Sequence, residues 1–129
     1  AIFVRYDSTS LEEDGVVIQQ SPEADDPAVS TTAVYLTVSG SQSTLPFAAD
    51  VAFNRTIEAA DTHVMAVMRE TFNGIAYQRI LYENTLPKGD NTPISFTAYS
   101  NAEGSYEIIL YVSGTEVKRQ DVSFLPKVA

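Results

Sequence analysis

The sequence contains no cysteine and a single histidine, His63, among its 129 residues. Disulfides, thiol catalysis, cysteine-ligated metals and multi-histidine metal centres are therefore excluded. Basic residues are also scarce, since eight lysines and arginines stand against 17 acidic residues, for a net charge of −9. Binding to nucleic acid or to anionic lipid requires clustered basic residues, so we expect neither partner.

Long hydrophobic runs are absent as well. No apolar run approaches the roughly 18–20 residues of a membrane-spanning helix, so we expect no membrane insertion. Hydrophobic residues make up 44% of the chain and charged residues 19%, which is typical of a folded globular protein. The length predicts one domain, residues 1–129.

The acidic residues are concentrated at the N-terminal end. Residues 1–30 carry seven acidic residues and one basic residue, Arg5, which accounts for −6 of the net −9. This distribution divides the predicted domain into an acidic N-terminal lead, residues 1–32, and a more balanced body, residues 33–129.

The lead combines two short strand patterns with a loop. Residues 1–6 and 16–18 are rich in β-branched and aromatic side chains, which favours strands. Residues 20–32 predict an exposed loop, because Pro22 and Pro27 cannot donate hydrogen bonds to a strand ladder.

The body has the pattern of an all-β protein. Strand signals with turns between them recur about every 8–15 residues, and several alternate apolar and polar side chains. The clearest cover residues 33–38, 47–53, 75–83, 94–99, 106–112 and 115–124. The pattern predicts a β-sandwich of about seven to nine strands. In the last strand Val117 fits one face and Val122 and Phe124 the other, which predicts a β-bulge near Lys118–Gln120. The period-2 positions predict a core that includes Val34, Leu36, Phe53, Phe96, Tyr106, Ile108, Leu110 and Phe124.

Residues 60–83 fit two structures. A helix would end at Asn73-Gly74, whereas a β-hairpin would turn there, and Asn-Gly is the strongest short hairpin signal. The hairpin is favoured because the residues that follow are strongly strand-like. It would bring Arg69, Glu70 and Arg79 together across the strand pair.

The segment LPKGDNTPISFTAYSNAEGSYEIILYVSGTEVKRQDVSF, residues 86–124, resembles the end of immunoglobulin-like and fibronectin-III-like domains of bacterial and archaeal surface proteins. It shares their order of parts: a Leu-Pro-x-Gly turn, a strand, a Gly-x-Tyr corner, a strand, a Ser-Gly turn and a final strand. Tyr106 matches the tyrosine of the tyrosine corner. The resemblance implies an immunoglobulin-like antiparallel β-sandwich and an extracellular location, and it specifies fold rather than function.

No catalytic constellation is evident in the sequence. His63 has no nucleophile or carboxylate at a spacing that marks a partner, and the glutamates of the body are scattered among strands. We therefore expect the protein not to be an enzyme.

The acidic loops offer a weak calcium-binding pattern. Glu12, Glu13 and Asp14 fall in one loop and Asp25 and Asp26 in another, and Ca²⁺ prefers six to eight oxygen ligands. Neither loop has acids at alternate positions around a central glycine, so solvated acidic loops are favoured. We expect no cofactor, with Ca²⁺ as the alternative.

Two further binding features can be identified. Tyr77, Tyr82 and Tyr111 are candidates for a ligand-binding aromatic surface, although packing between strands is the more common use of tyrosine in β proteins.

Asn54 begins an N-x-Thr glycosylation pattern directly after the strand that ends at Phe53, so we expect it in a loop.

The N-terminal strand has the pattern of an assembly element. Ile2, Val4 and Tyr6 share one face and Phe3 occupies the other. Such a strand on a polar tether closes the edge of its own sheet, or adds to the sheet of another copy and builds a filament.

These observations predict a non-catalytic structural subunit. It would associate with copies of itself, as a homo-oligomer or polymer, on a cell or virion surface or in a filament. The alternative is a module that binds carbohydrate or protein through its loops or exposed tyrosines.

Overall fold

The computed structural model describes residues 2–13, 15–21 and 34–127, except for the side chain of Phe72. Nearly all of the predicted loop at residues 20–32 lies outside these ranges. The described residues form nine strands and one short 3-10 turn and contain no α-helix, so the predicted all-β class and strand number are confirmed.

The strands are β1 (Ile2–Asp7), β2 (Val17–Ser21), β3 (Val34–Ser39), β4 (Phe47–Ile57), β5 (Thr62–Phe72), β6 (Ile75–Leu86), β7 (Gly89–Ser100), β8 (Gly104–Val112) and β9 (Thr115–Pro126). The 3-10 turn, Gln42–Thr44, lies between β3 and β4.

The hairpin predicted for residues 60–83 is present, and the helical alternative is wrong. β5 and β6 are joined by Asn73-Gly74, whose φ angles are 51° and 78°. Two successive residues with positive φ match the right-handed twist of the flanking strands. Ser113-Gly114 joins β8 to β9 with almost the same angles, 49° and 78°.

The chain forms two compact units. The N-terminal unit comprises Ala1–Thr44 and Arg69–Ile80, and the C-terminal unit comprises Leu45–Met68 and Leu81–Ala129. The β5–β6 hairpin contributes residues to both. The N-terminal unit therefore contains β1, β2 and β3 together with the tip of the hairpin.

Antiparallel pairing runs through the C-terminal unit. β8 pairs with β5 on one side and with β9 on the other, whereas β4 pairs with β7 along its length and with the end of β9. Side chains from all five strands form one apolar core. Ile109 and Leu110 are both fully buried, so β8 is covered on both faces, as expected of a central strand.

Four predicted core residues, Phe53, Ile108, Leu110 and Phe124, are at most 2% exposed. Phe96 and Tyr106 are half-buried and pack against the same core. Val34 and Leu36 were wrongly placed in this core: they are half-buried and belong to the N-terminal unit. Alternation identifies the apolar face of a strand but not the sheet to which the strand belongs.

Parallel pairing distinguishes the N-terminal unit. β1 lies between β3 and β6 and runs parallel to both, whereas β2 pairs antiparallel with β3. The sheet is thus mixed rather than wholly antiparallel. The chain between β1 and β3, residues 8–33, is long enough for the crossover that a parallel pair requires.

A bulge interrupts β9 close to the predicted position. Leu110 is opposite Lys118 and Tyr111 is opposite Glu116, so Val117 is the extra residue. The sequence placed this bulge at residues 118–120, immediately after its observed site.

Candidate functional site

An open apolar groove lies on one face of the N-terminal sheet. It has a volume of about 600 Å³. β1, β3, β6 and the loop before β2 contribute its lining: Ile2, Val4, Tyr6, Gly15, Leu36, Val38, Ile75 and Tyr77. Three of the four predicted assembly residues therefore line this groove, because alternation places them on one face of β1.

The lining carries no charged side chain, although the protein has a net charge of −9. Ile75 is 59% exposed. The described residues include six strongly exposed large hydrophobic side chains, and five of them belong to this unit: Leu11, Val16, Val17, Ile18 and Ile75. Of these five, Ile75 lines the groove, and an uncharged apolar groove of this kind marks an interaction surface.

The opposite face of β1 is closed by packing. Phe3 is buried and stacks on Tyr35, with the ring centroids 4.9 Å apart. Arg5 lies over the same tyrosine ring, 5.3 Å from its centroid. Phe3 therefore anchors the strand, whereas its neighbours Ile2 and Val4 face the groove.

A buried arginine holds the hairpin tip in place. Arg79 is 2% exposed, and its Nε donates to Glu70 Oε1 at 2.6 Å. Its Nη1 donates to the side chain of Gln42, whose Nε2 in turn donates to the carbonyl of Ile80 at 2.8 Å. The cross-strand hairpin contact between Arg79 and Glu70 was predicted, whereas the contribution of Gln42 from the 3-10 turn was not.

Tyr77 connects this cluster to the groove. It lines the groove and hydrogen-bonds Glu70, so its hydroxyl lies beside a carboxylate. Burial, followed by the negative charge of Glu70, raises the pKa of Tyr77 above its ordinary value. A tyrosine is neutral at physiological pH even at its ordinary pKa, so Tyr77 adds no charge to the groove.

The loop after β1 is held by local hydrogen bonds. Thr9 donates to Asp7 Oδ1 from both its backbone N–H and its hydroxyl, at 2.9 and 2.6 Å, which lowers the pKa of Asp7. Further along, Gly15 N–H donates to the carbonyl of Ser39, and the hydroxyl of Ser39 donates to the carbonyl of Glu12. These bonds fix the loop against the end of β3, next to the groove.

Only two of the five carboxylate residues predicted as calcium ligands lie within the described ranges. Glu12 and Glu13 are exposed in the loop before β2, whereas Asp14, Asp25 and Asp26 lie outside the described residues. Among the residues that are described, no three acidic or histidine side chains form a group that could hold a metal ion. The calcium site stays a prediction.

The three candidate tyrosines have different surroundings. Tyr77 lines the groove of the N-terminal unit, whereas Tyr82 and Tyr111 belong to the C-terminal unit. Tyr82 is half-buried and stacks on Phe96, with ring centroids 5.2 Å apart, so its ring packs against the core. Tyr111 is half-buried on β8. Their role in ligand binding stays a prediction.

Asn54 is exposed, but it does not lie in a loop as expected. β4 continues to Ile57, and Asn54 is opposite Pro93 in the β4–β7 pair. The expected loop was wrong because the apolar alternation is interrupted at Arg55 and resumes at Ile57, which is 1% exposed. Asn54 remains a glycosylation candidate on the exposed face of a strand.

His63 has a partner that sequence spacing did not reveal. Its Nε2 lies 2.7 Å from Glu83 Oε2, and both side chains remain partly exposed. The two residues lie on β5 and β6, so the hairpin brings them together. The pair is a partly exposed hydrogen bond between neighbouring strands.

Comparisons with known proteins identify no family. No protein-family model and no curated protein matches the sequence. Among solved structures, the chain is similar to the extracellular region of the Ser/Thr kinase PrkC from Staphylococcus aureus, with 16% sequence identity and a TM-score of 0.39. The match covers 95% of this chain and 42% of that chain. A similarity this weak carries no argument about function.

Over the described ranges, no helix combines the length and apolar character that crossing a membrane requires.

Proposed function

We propose that the protein is a non-catalytic structural subunit that associates with copies of itself through the groove of its N-terminal unit. In this role it would belong to an extracellular assembly, a filament or virion, or a cell surface. The observation that carries the proposal is the uncharged apolar groove, which is lined by the strand positions that the sequence predicted for assembly.

A second copy is the occupant that the charges favour. Two proteins with a net charge of −9 repel each other over most of their surfaces. Every residue that lines the groove is uncharged, and the neighbouring strand β2, with the sequence VIQQS, carries no charge either. The groove lining of one copy can therefore meet that of another without opposing carboxylates, whereas the exposed Glu12 and Glu13 lie in the loop beside it.

Association through the groove does not require the N-terminal strand to be exchanged between copies. β1 pairs on both sides within its own chain, so adding it to another subunit would require breaking both pairings. Contact between the same groove on two copies is isologous and closes a dimer, whereas strand exchange would be heterologous and would extend into a filament. The oligomer size therefore separates the two forms of the proposal.

The test is Ile75→Lys, measured by sedimentation velocity over a wide range of protein concentration. Ile75 is 59% exposed, so the substitution should leave the fold intact. An unpaired ammonium buried in an apolar contact should weaken association by about tenfold or more, which corresponds to at least ~1.4 kcal/mol. The matched control is Leu125→Lys, because Leu125 is 60% exposed and lies in the C-terminal unit.

We expect wild type and Leu125→Lys to associate alike, and Ile75→Lys to remain monomeric to higher concentration. A wild-type chain that sediments as a monomer at every concentration would overturn self-association and favour the binding-module alternative. Equal weakening by both lysines would instead show that association does not depend on the groove.

A further inference from the structure

A second, polar cavity lies in the C-terminal unit, where two bulges interrupt strand pairing. Between Arg55 and Ile57, the single residue Thr56 is opposite both Asp90 and Asn91 of β7. Val117, the extra residue of the β9 bulge, lines the same cavity. Bulges often occur beside functional sites because they redirect side chains and end regular pairing.

The cavity has the size and lining of a small-molecule site. Its volume is about 580 Å³, within the ~300–1,000 Å³ that is usual for ligand pockets. Six of its eight lining residues are polar: Asn54, Arg55, Thr56, Glu58, Asn91 and Ser113. An apolar ligand would leave these groups without hydrogen-bond partners, so the lining favours a polar ligand.

Arg55 is the most informative residue of the lining. It occupies an inward-facing position of β4, between Phe53 and Ile57, which are 2% and 1% exposed. Its Nε is buried and has no hydrogen-bond partner among the described residues. By contrast, Arg79 and Arg119 each donate to carboxylates.

A buried donor without an acceptor is uncommon in folded proteins and calls for an explanation. A ligand carboxylate in the cavity supplies one when the Arg55 side chain turns its Nε toward the ligand, because a guanidinium binds a carboxylate through two parallel N–H···O bonds. The positive charge of Arg55 also favours binding of a carboxylate over binding of a neutral group of the same shape.

The remaining polar groups suit a ligand with several hydroxyls. Asn91 offers an amide donor and acceptor and Ser113 offers a hydroxyl. Asn54, Thr56 and Glu58 are exposed residues of β4 and its end that also line the cavity. Asn91 has a φ of 50°, a left-handed conformation that is uncommon for residues other than glycine. The bulge thus holds an amide at the cavity at some conformational cost, as often occurs at binding sites.

We propose that this cavity binds an acidic saccharide, a sugar that carries one carboxylate, with the carboxylate on Arg55 and the hydroxyls on the amide and hydroxyl side chains. This site is separate from the self-association groove, since its lining residues all belong to the C-terminal unit.

The test is a titration of ¹⁵N-labelled protein with glucuronate, followed by NMR, with glucose and acetate as comparison ligands. We expect glucuronate to shift the Arg55 Nε–H signal and the amide signals of the lining residues. Glucose lacks the carboxylate and acetate lacks the hydroxyls, so each should bind about tenfold more weakly or worse.

Two variants make the result specific. Arg55→Gln removes the cation, and Asn91→Gly removes the amide while retaining a residue that tolerates positive φ. Both should weaken glucuronate binding, whereas Arg69→Gln, a control at an exposed arginine, should not. The proposal fails if glucuronate does not shift the NMR signals of the cavity-lining residues, or if glucose or acetate binds as tightly as glucuronate. It also fails if Arg55→Gln is folded and binds glucuronate as tightly as the wild type does.

Discussion

Replacing Arg79 with alanine is expected to lower the free energy of unfolding by about 3–5 kcal/mol, the usual range for removing one partner of a buried ion pair. Arg79 is 2% exposed and donates to both Glu70 and Gln42. The substitution removes the cationic donor from the Glu70 carboxylate and from the Gln42 amide oxygen, and it opens a cavity at the hairpin tip. Urea denaturation monitored by circular dichroism measures the loss.

Arg119→Ala is the matched control. Arg119 also donates to two carboxylates, those of Glu107 and Glu116, but all three side chains are exposed to solvent. We expect little change in the unfolding midpoint. The double variant Arg79→Met/Glu70→Met should be more stable than Arg79→Met alone, because it also removes the carboxylate that has lost its cationic partner. Equal stability of Arg79→Ala and Arg119→Ala would contradict the structural role assigned to Arg79.

Leu110→Ala is expected to reduce the free energy of unfolding by about 2–5 kcal/mol, since it removes a fully buried side chain and leaves a cavity in a packed core. Leu110 is 0% exposed, and β8 is paired on both sides. The control is Leu125→Ala, at a residue that is 60% exposed, and this variant should be nearly neutral. If the two variants unfold at the same urea concentration, the register assigned to β8 is wrong.

Local signals in the sequence were sufficient to predict part of the fold. Asn73-Gly74 and Ser113-Gly114 specify tight turns through positive φ angles, which depend on the residues at the turn alone. The sequence pattern missed the continuation of β4 from Phe53 to Ile57, because Arg55 occupies an inward-facing position. A charged residue at such a position is the exception that a rule based on hydrophobic periodicity cannot anticipate.

Long-range pairing could not be predicted from the same signals. The parallel neighbours of β1 lie far from it in the sequence, and no residue of β1 specifies whether it pairs with β3, with β6 or with another chain. This limit also applies to the candidate site. Alternation placed Ile2, Val4 and Tyr6 on one face, but Leu36 and Ile75 join them only because their strands lie on either side of β1.

The same limit explains the polar groups that were missed. Gln42 reaches Arg79 from a turn 37 residues away in the sequence, and His63 reaches Glu83 across 20 residues. Neither spacing is a recognised motif. The cavity around Arg55 likewise depends on two bulges, and the sequence indicated only the one on β9.

Cross-linking through single introduced cysteines tests self-association through the groove most directly, because the natural sequence has no cysteine. Ile75→Cys places one thiol in the groove and Leu125→Cys places one on the C-terminal unit, and both positions are exposed. Each variant is treated with a short bismaleimide at a concentration where the wild type associates. We predict a covalent dimer for Ile75→Cys and none for Leu125→Cys. A wild type that associates while Ile75→Cys stays monomeric, or cross-links no better than Leu125→Cys, would contradict self-association through this groove.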